Sequence, residues 1–252
     1  MSASPISFPP PQSARQPKWR TPNVWRADQL AVAQAVSSGH AALDACLPGG
    51  GWPMGALCEV VTPPEARLEW PLVLPALVRR AAQRAGWMAV VAPPHEPFAP
   101  ALQAAGLPVD RLCWMRPAGA QAAWVAEQAL RCRDVLAVLV WLPPRVRPDV
   151  LRRLHLAAAR QGALLWGFVP PGAVAATPAP LRLAVYGGAD GLTVQVLKRQ
   201  GPAVLEPIGL PAGGRLAMAL AAQAQRRAAM SAVSPAQEFR HGTLDRLAVA
   251  AR

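Results

Sequence analysis

Between residues 56 and 169 the chain switches repeatedly between short apolar runs and longer segments with helical spacing. Apolar runs at 56–61, 87–92, 111–115, 135–142 and 163–169 predict strands, and the stretches at 70–84, 98–105, 121–132 and 149–160 between them predict helices. Strands that alternate with helices form βαβ units and a mostly parallel sheet with helices on its faces. The run at 135–142 (Val-Leu-Ala-Val-Leu-Val-Trp-Leu) has no polar residue, so it belongs in the interior of that sheet, covered on both sides. Runs 56–61 and 135–142 are expected as neighbours in it. After Pro180 the rhythm changes. Runs 181–186, 192–198 and 203–208 follow one another without a helix, and Gly187-Gly188-Ala189-Asp190-Gly191 reads as a turn. They predict an antiparallel meander added to one edge. The fold class is therefore α/β.

A chain of 252 residues, 52% hydrophobic, suits one such domain with tails. Residues 1–21 read as a disordered arm because Pro9, Pro10, Pro11 and Pro17 forbid regular structure. A helix is expected at 23–36 with Asn23 as its cap, another at 39–47, and a loop at 48–55. The domain is expected over 22–210, with 211–252 holding an Ala-rich helix (214–230) and a tail. The formal charge of +12 is carried almost wholly by arginine, with lysine only at Lys18 and Lys198. It fits either a solvated basic surface or an anionic partner. Cys46, Cys58, Cys113 and Cys132 form no C-x-x-C pair and read as free thiols in a reducing cytosol. No apolar leader segment and no run of membrane-spanning length is visible, so a cytoplasmic location is expected. His40, His95, His155 and His241 are scattered and predict no metal site.

In open α/β sheets, ligands bind outside the carboxyl ends of the strands, and the first strand-to-helix turn is the usual phosphate cradle. Here that turn is Thr62-Pro63-Pro64-Glu65-Ala66-Arg67-Leu68-Glu69. A P-loop requires glycines, a lysine and a hydroxyl beside it. This segment has neither glycine nor lysine. Two prolines remove amide donors, and two glutamates repel phosphate. No nucleotide cofactor and no catalysis are expected.

The residues Ser38-Gly39-His40-Ala41-Ala42-Leu43-Asp44 and Leu47-Pro48-Gly49-Gly50-Gly51-Trp52-Pro53-Met54-Gly55, continuing to Glu59-Val60, resemble the segment leading into the P-loop of RecA-type recombinases. They resemble still more the ImuA family, RecA-like accessory proteins of mutagenic translesion synthesis. That resemblance, taken to run from about Val24 to Leu210, implies a RecA-like fold. By the same pattern Trp141 stands where a Walker B aspartate is expected, and Pro94 falls near the place of a catalytic glutamate. Glu96 nearby reads as an exposed loop acid. The implied function is a non-catalytic accessory protein of SOS-induced translesion synthesis. It would bridge an ImuB-type inactive polymerase subunit, an error-prone replicative-type DNA polymerase and RecA, with DNA touched directly or through a partner. Lys198 and Arg199, in Lys198-Arg199-Gln200-Gly201, correspond to cations that span a subunit interface. Trp19, Trp25 and Arg26, aromatics interleaved with cations, form a candidate partner site. Arg226 and Arg227 mark a candidate docking helix. The loop at 170–180 has no Arg, Lys or aromatic residue to hold DNA. Trp87, Trp114, Trp141 and Trp166 are expected in the core. The second reading is a SulA-like inhibitor of cell division on the same degraded fold, and the third is an ATPase with a divergent pocket.

Overall fold

The computed structural model describes residues 34–118, 121–173, 177–188 and 191–211. Strand β1 (Ala35–Val36) pairs antiparallel with β2 (Trp52–Pro53). Between them lies the short helix α1 (Ala41–Cys46). The main sheet has eight strands: β3 (Leu57–Val61), β4 (Trp87–Val91), β5 (Leu112–Met115), β6 (Val135–Trp141), β7 (Leu164–Val169), β8 (Leu181–Gly188), β9 (Gly191–Lys198) and β10 (Ile208–Pro211). Their order across the sheet is β10-β9-β8-β3-β7-β6-β4-β5. From β5 to β8 neighbouring strands run parallel, and β9 and β10 are antiparallel additions.

The predicted alternation is present. Helices α2 (Glu69–Gln83), α3 (Ala99–Ala104), α4 (Ala122–Arg131) and α5 (Pro148–Gln161) follow successive strands. Residues of α1, α2 and α3 join the apolar core on one face of the sheet, and residues of α4 and α5 form the core on the other. All of β6 except Trp141 is buried, as a strand covered on both faces requires.

Four expectations are corrected. Strands β3 and β6 share the sheet but are not adjacent, because β7 returns through α5 and inserts between them. The last strand lies at Ile208–Pro211 rather than 203–208. Leu205 is 82% exposed, and Pro207 has no N–H for a ladder, so pairing begins after it. The segment at 48–55 is not all loop, since β2 crosses it. Ala35 and Val36 are extended, not helical; the rest of the helix expected at 23–36 lies outside the described residues, as does the one at 214–230.

The lead-in segment builds the corner where β1 meets β2. Asp44 accepts hydrogen bonds from the Ser37 hydroxyl (2.6 Å) and the Ser38 N–H (2.7 Å), which fixes the turn before α1. Gly39 has φ +85°, and a Cβ there would lie 2.3 Å from the Cβ of Pro75. At Gly51 a Cβ would lie 2.3 Å from the carbonyl oxygen of Val36, so only glycine lets the two backbones approach. Trp52 is then seated edge-on against Trp166, ring centroids 5.6 Å apart at 84°.

One helix contact has a pH signature. The Leu57 N–H, at the start of β3, donates to Nδ1 of His155 on α5 at 3.2 Å, which requires that nitrogen to be unprotonated. Burial lowers the His155 pKa below its ordinary value of 6.5. The unfolded chain therefore takes up this proton first on acidification. Stability from His155 is complete above pH about 6.5 and declines as pH falls toward the lower, folded-state pKa. Urea midpoints measured between about pH 7.5 and 5 should fall less in His155→Asn, whose amide oxygen replaces Nδ1 without titrating. Parallel curves for the two proteins would remove His155 as a source.

Candidate functional site

The carboxyl ends of β3, β4, β6 and β7 converge on a crevice of about 410 Å³. Its walls include Thr62, Pro94, Trp141, Pro143, Phe168 and Pro170. This is where an open α/β sheet holds its ligand. The chain leaves β3 through Pro63, makes one 3-10 turn over Pro64–Ala66, and passes through Arg67 in a left-handed conformation (φ 52°) before α2 begins. Two of the amides in this turn are committed elsewhere. The Thr62 N–H donates to the Val169 carbonyl (3.0 Å) and the Ala66 N–H to the Pro63 carbonyl (3.0 Å).

Glu69, the first residue of α2, is 4% exposed. A helix amino end attracts negative charge, and here a carboxylate of the chain itself already stands there. Burial raises the Glu69 pKa, while a hydrogen bond from its own backbone and the charges of His95 and Arg67 pull it back. Across the crevice the Trp141 ring stacks on Phe168, centroids 4.6 Å apart. An apolar surface thus stands where a metal-orienting carboxylate was sought. Glu96 is the exposed loop acid expected, paired with Arg116 at 3.1 Å. The arrangement offers apolar contact and the Thr62 hydroxyl, whose oxygen is buried without a hydrogen-bond partner among the described residues.

A charged pair missed in the sequence lies in the sheet beside the crevice. Glu59 of β3 and Arg182 of β8 are register partners, both buried, with Nε and Oε2 3.6 Å apart. Arg182 also donates to the Ala173 carbonyl at 3.2 Å. Burial raises the Glu59 pKa, and a Thr177 hydrogen bond and the Arg182 and Lys198 charges oppose that rise. The signal was one charge in each of two otherwise apolar strands, Leu57-Cys58-Glu59-Val60-Val61 and Leu181-Arg182-Leu183-Ala184-Val185. Only the register shows that they meet.

The two candidate interface cations are tied to backbone carbonyls of this chain. Lys198 donates to Thr177 at 2.8 Å. Arg199 donates to Pro202 at 2.6 Å and also to the Cys46 carbonyl, which ties the end of β9 to α1. Trp19, Trp25, Arg26, Arg226 and Arg227 lie outside the described residues. Of the tryptophans expected in the core, Trp166 is fully buried, Trp114 and Trp141 are partly covered, and Trp87 is 54% exposed. Trp87 is the first residue of β4, which lies between β6 and the edge strand β5. Among the described residues no group of histidine, cysteine, aspartate and glutamate is arranged to hold a metal ion, and no helix is long and apolar enough to cross a membrane.

Comparison with known proteins overturns the ImuA resemblance. Residues 55–165 match the family model of the cell division inhibitor SulA. The chain is also 33% identical over 118 residues to the cell division inhibitor SulA of Edwardsiella piscicida, covering 46% of this chain and 70% of the relative. The translesion-synthesis role falls with the resemblance, and so do its partners, the ImuB-type subunit, the error-prone polymerase and RecA. Most of the lead-in that suggested ImuA precedes residue 55, and Gly39, Asp44, Gly51 and Trp52 serve there to build the corner between β1 and β2. The chain belongs to the SulA family of cell-division inhibitors.

Proposed function

We propose that this protein inhibits cell division by binding a component of the division machinery in the cytoplasm, with no catalytic step of its own. Its membership of a family of division inhibitors carries the reading. The crevice supports the non-catalytic part, because the turn after β3 has neither glycine nor lysine, ties the Thr62 and Ala66 amides to carbonyls and holds Glu69 at the helix end. The reading includes a RecA-like frame, placed at about 22–210 with flanking segments, and the strand order among the described residues favours such a frame. β3 lies inside the sheet, and its carboxyl end feeds α2 where later strands depart to either side. On this reading a nucleotide-binding frame persists as a scaffold for protein contacts.

Expression in a bacterial host should give elongated, unseptated cells and recovery of the division-ring protein with the tagged chain. Calorimetric titration with ATP and Mg²⁺ should give no saturable heat at micromolar concentrations. Cells of normal length at equal expression, with polymerase subunits recovered in place of the ring protein, refute the proposal. Micromolar ATP binding refutes its non-catalytic part.

A further inference from the structure

We propose that the outer face of α4 and α5 is a docking groove for an acidic, amphipathic helical segment of a partner protein. The inference goes beyond the division-inhibitor reading and does not require it. The two helices pack side by side and leave a shallow groove of about 230 Å³ between them. Arg131 stands on one wall, and Arg153, Leu156 and Arg160 on the other. Glu127, nearly buried, receives both Arg131 (2.8 Å) and Arg153 (3.2 Å). One carboxylate thus orients two guanidinium groups without neutralising both, and Arg160 has no ion pair among the described residues. The groove keeps a positive surplus on side chains already held in place, which lowers the ordering cost of binding an anion.

Two large apolar side chains are exposed on the same two helices. Trp124 is 59% exposed and lies three residues before Glu127 and seven before Arg131, on the same side of α4. Leu156 is 48% exposed, with Arg153 three residues before it and Arg160 four after it on α5. Tryptophan and arginine are the residues most enriched where binding energy concentrates. Apolar anchors flanked by cations complement a helix with leucines on one face and carboxylates at that face's edges. Nucleic acid fits less well, since Glu127 sits amid the cations and the groove lining adds no second ring to Trp124 on which successive bases could stack.

The test uses the full chain and a labelled peptide of about 16 residues, with leucines at i, i+3, i+4 and i+7 and glutamates beside them. Fluorescence anisotropy should show saturable binding that weakens with added salt. Trp124→Ala and Arg153→Glu/Arg160→Glu should each weaken it about tenfold or more, with circular dichroism unchanged. Arg79→Glu, on the exposed side of α2 at the opposite face, should leave it within about twofold. No saturable binding overturns the proposal, and so does an equal loss in Arg79→Glu, which would mean attraction by net charge alone. Displacement of the peptide by a single-stranded oligonucleotide whose own binding falls in the same variants assigns the face to nucleic acid instead.

Discussion

Arg182→Ala is expected to cost about 3–5 kcal/mol of folding stability at pH 7, the size seen when one partner of a buried ion pair is removed. Glu59 and Arg182 are 2% and 7% exposed, so the variant leaves the Glu59 carboxylate without its guanidinium partner and away from bulk solvent. Lys198 and Thr177 moderate the loss without abolishing it, since Lys198 is exposed and bonded to the Thr177 carbonyl. The pH dependence distinguishes a stranded charge from a packing defect. Burial already raises the Glu59 pKa, and loss of Arg182 raises it further. A carboxyl whose folded pKa is raised favours the fold in its protonated state, and that advantage disappears as pH rises through the folded pKa. The deficit of Arg182→Ala relative to the parent should therefore shrink as pH falls from about 7 toward 5. Glu59→Leu/Arg182→Leu should recover most of the stability, because apolar replacement of a buried pair is often neutral. Urea unfolding of the three proteins measures this. A loss below about 1 kcal/mol for Arg182→Ala, or a deficit constant with pH, contradicts the assignment.

That pair marks the boundary of what the sequence made legible. Strand and helix segments between residues 56 and 169 could be read because a proline follows each apolar run within two residues and the period changes between them. The closed phosphate turn could be read as well, since missing glycines and added prolines act locally. Register could not. Nothing local to Leu57–Val61 says that Glu59 faces Arg182, more than 120 residues later. Strands β1 and β2 escaped because two residues carry no periodicity, and β10 was misplaced because Val204 and Leu205 resemble a strand while Pro207 decides where pairing starts. The family was misjudged for a related reason. The glycines, the aspartate and the tryptophan of the lead-in form a recognisable pattern, but their task in this chain is local construction. Construction patterns are shared among proteins whose partners differ.

Trp52→Ala is accordingly expected to damage the fold, costing about 3–5 kcal/mol in urea unfolding, as for other fully buried aromatic residues. Trp52 and Trp166 are both 0% exposed and meet edge to face, so truncation opens a cavity that the short β1–β2 pair cannot collapse to fill. Neither indole N–H has a hydrogen-bond partner among the described residues, so Trp52→Phe, which loses volume but none of the hydrogen bonds seen there, should cost much less. Trp124→Ala is the surface comparison. That residue is 59% exposed, and its removal should change stability by no more than about 0.5 kcal/mol. The contrast separates two uses of tryptophan in one chain, since loss at 52 appears in the unfolding midpoint and loss at 124 in peptide binding. If Trp52→Ala unfolded at the parent's urea midpoint, the lead-in would not be scaffold. Its likeness to another family would then need a contact outside this fold to explain it.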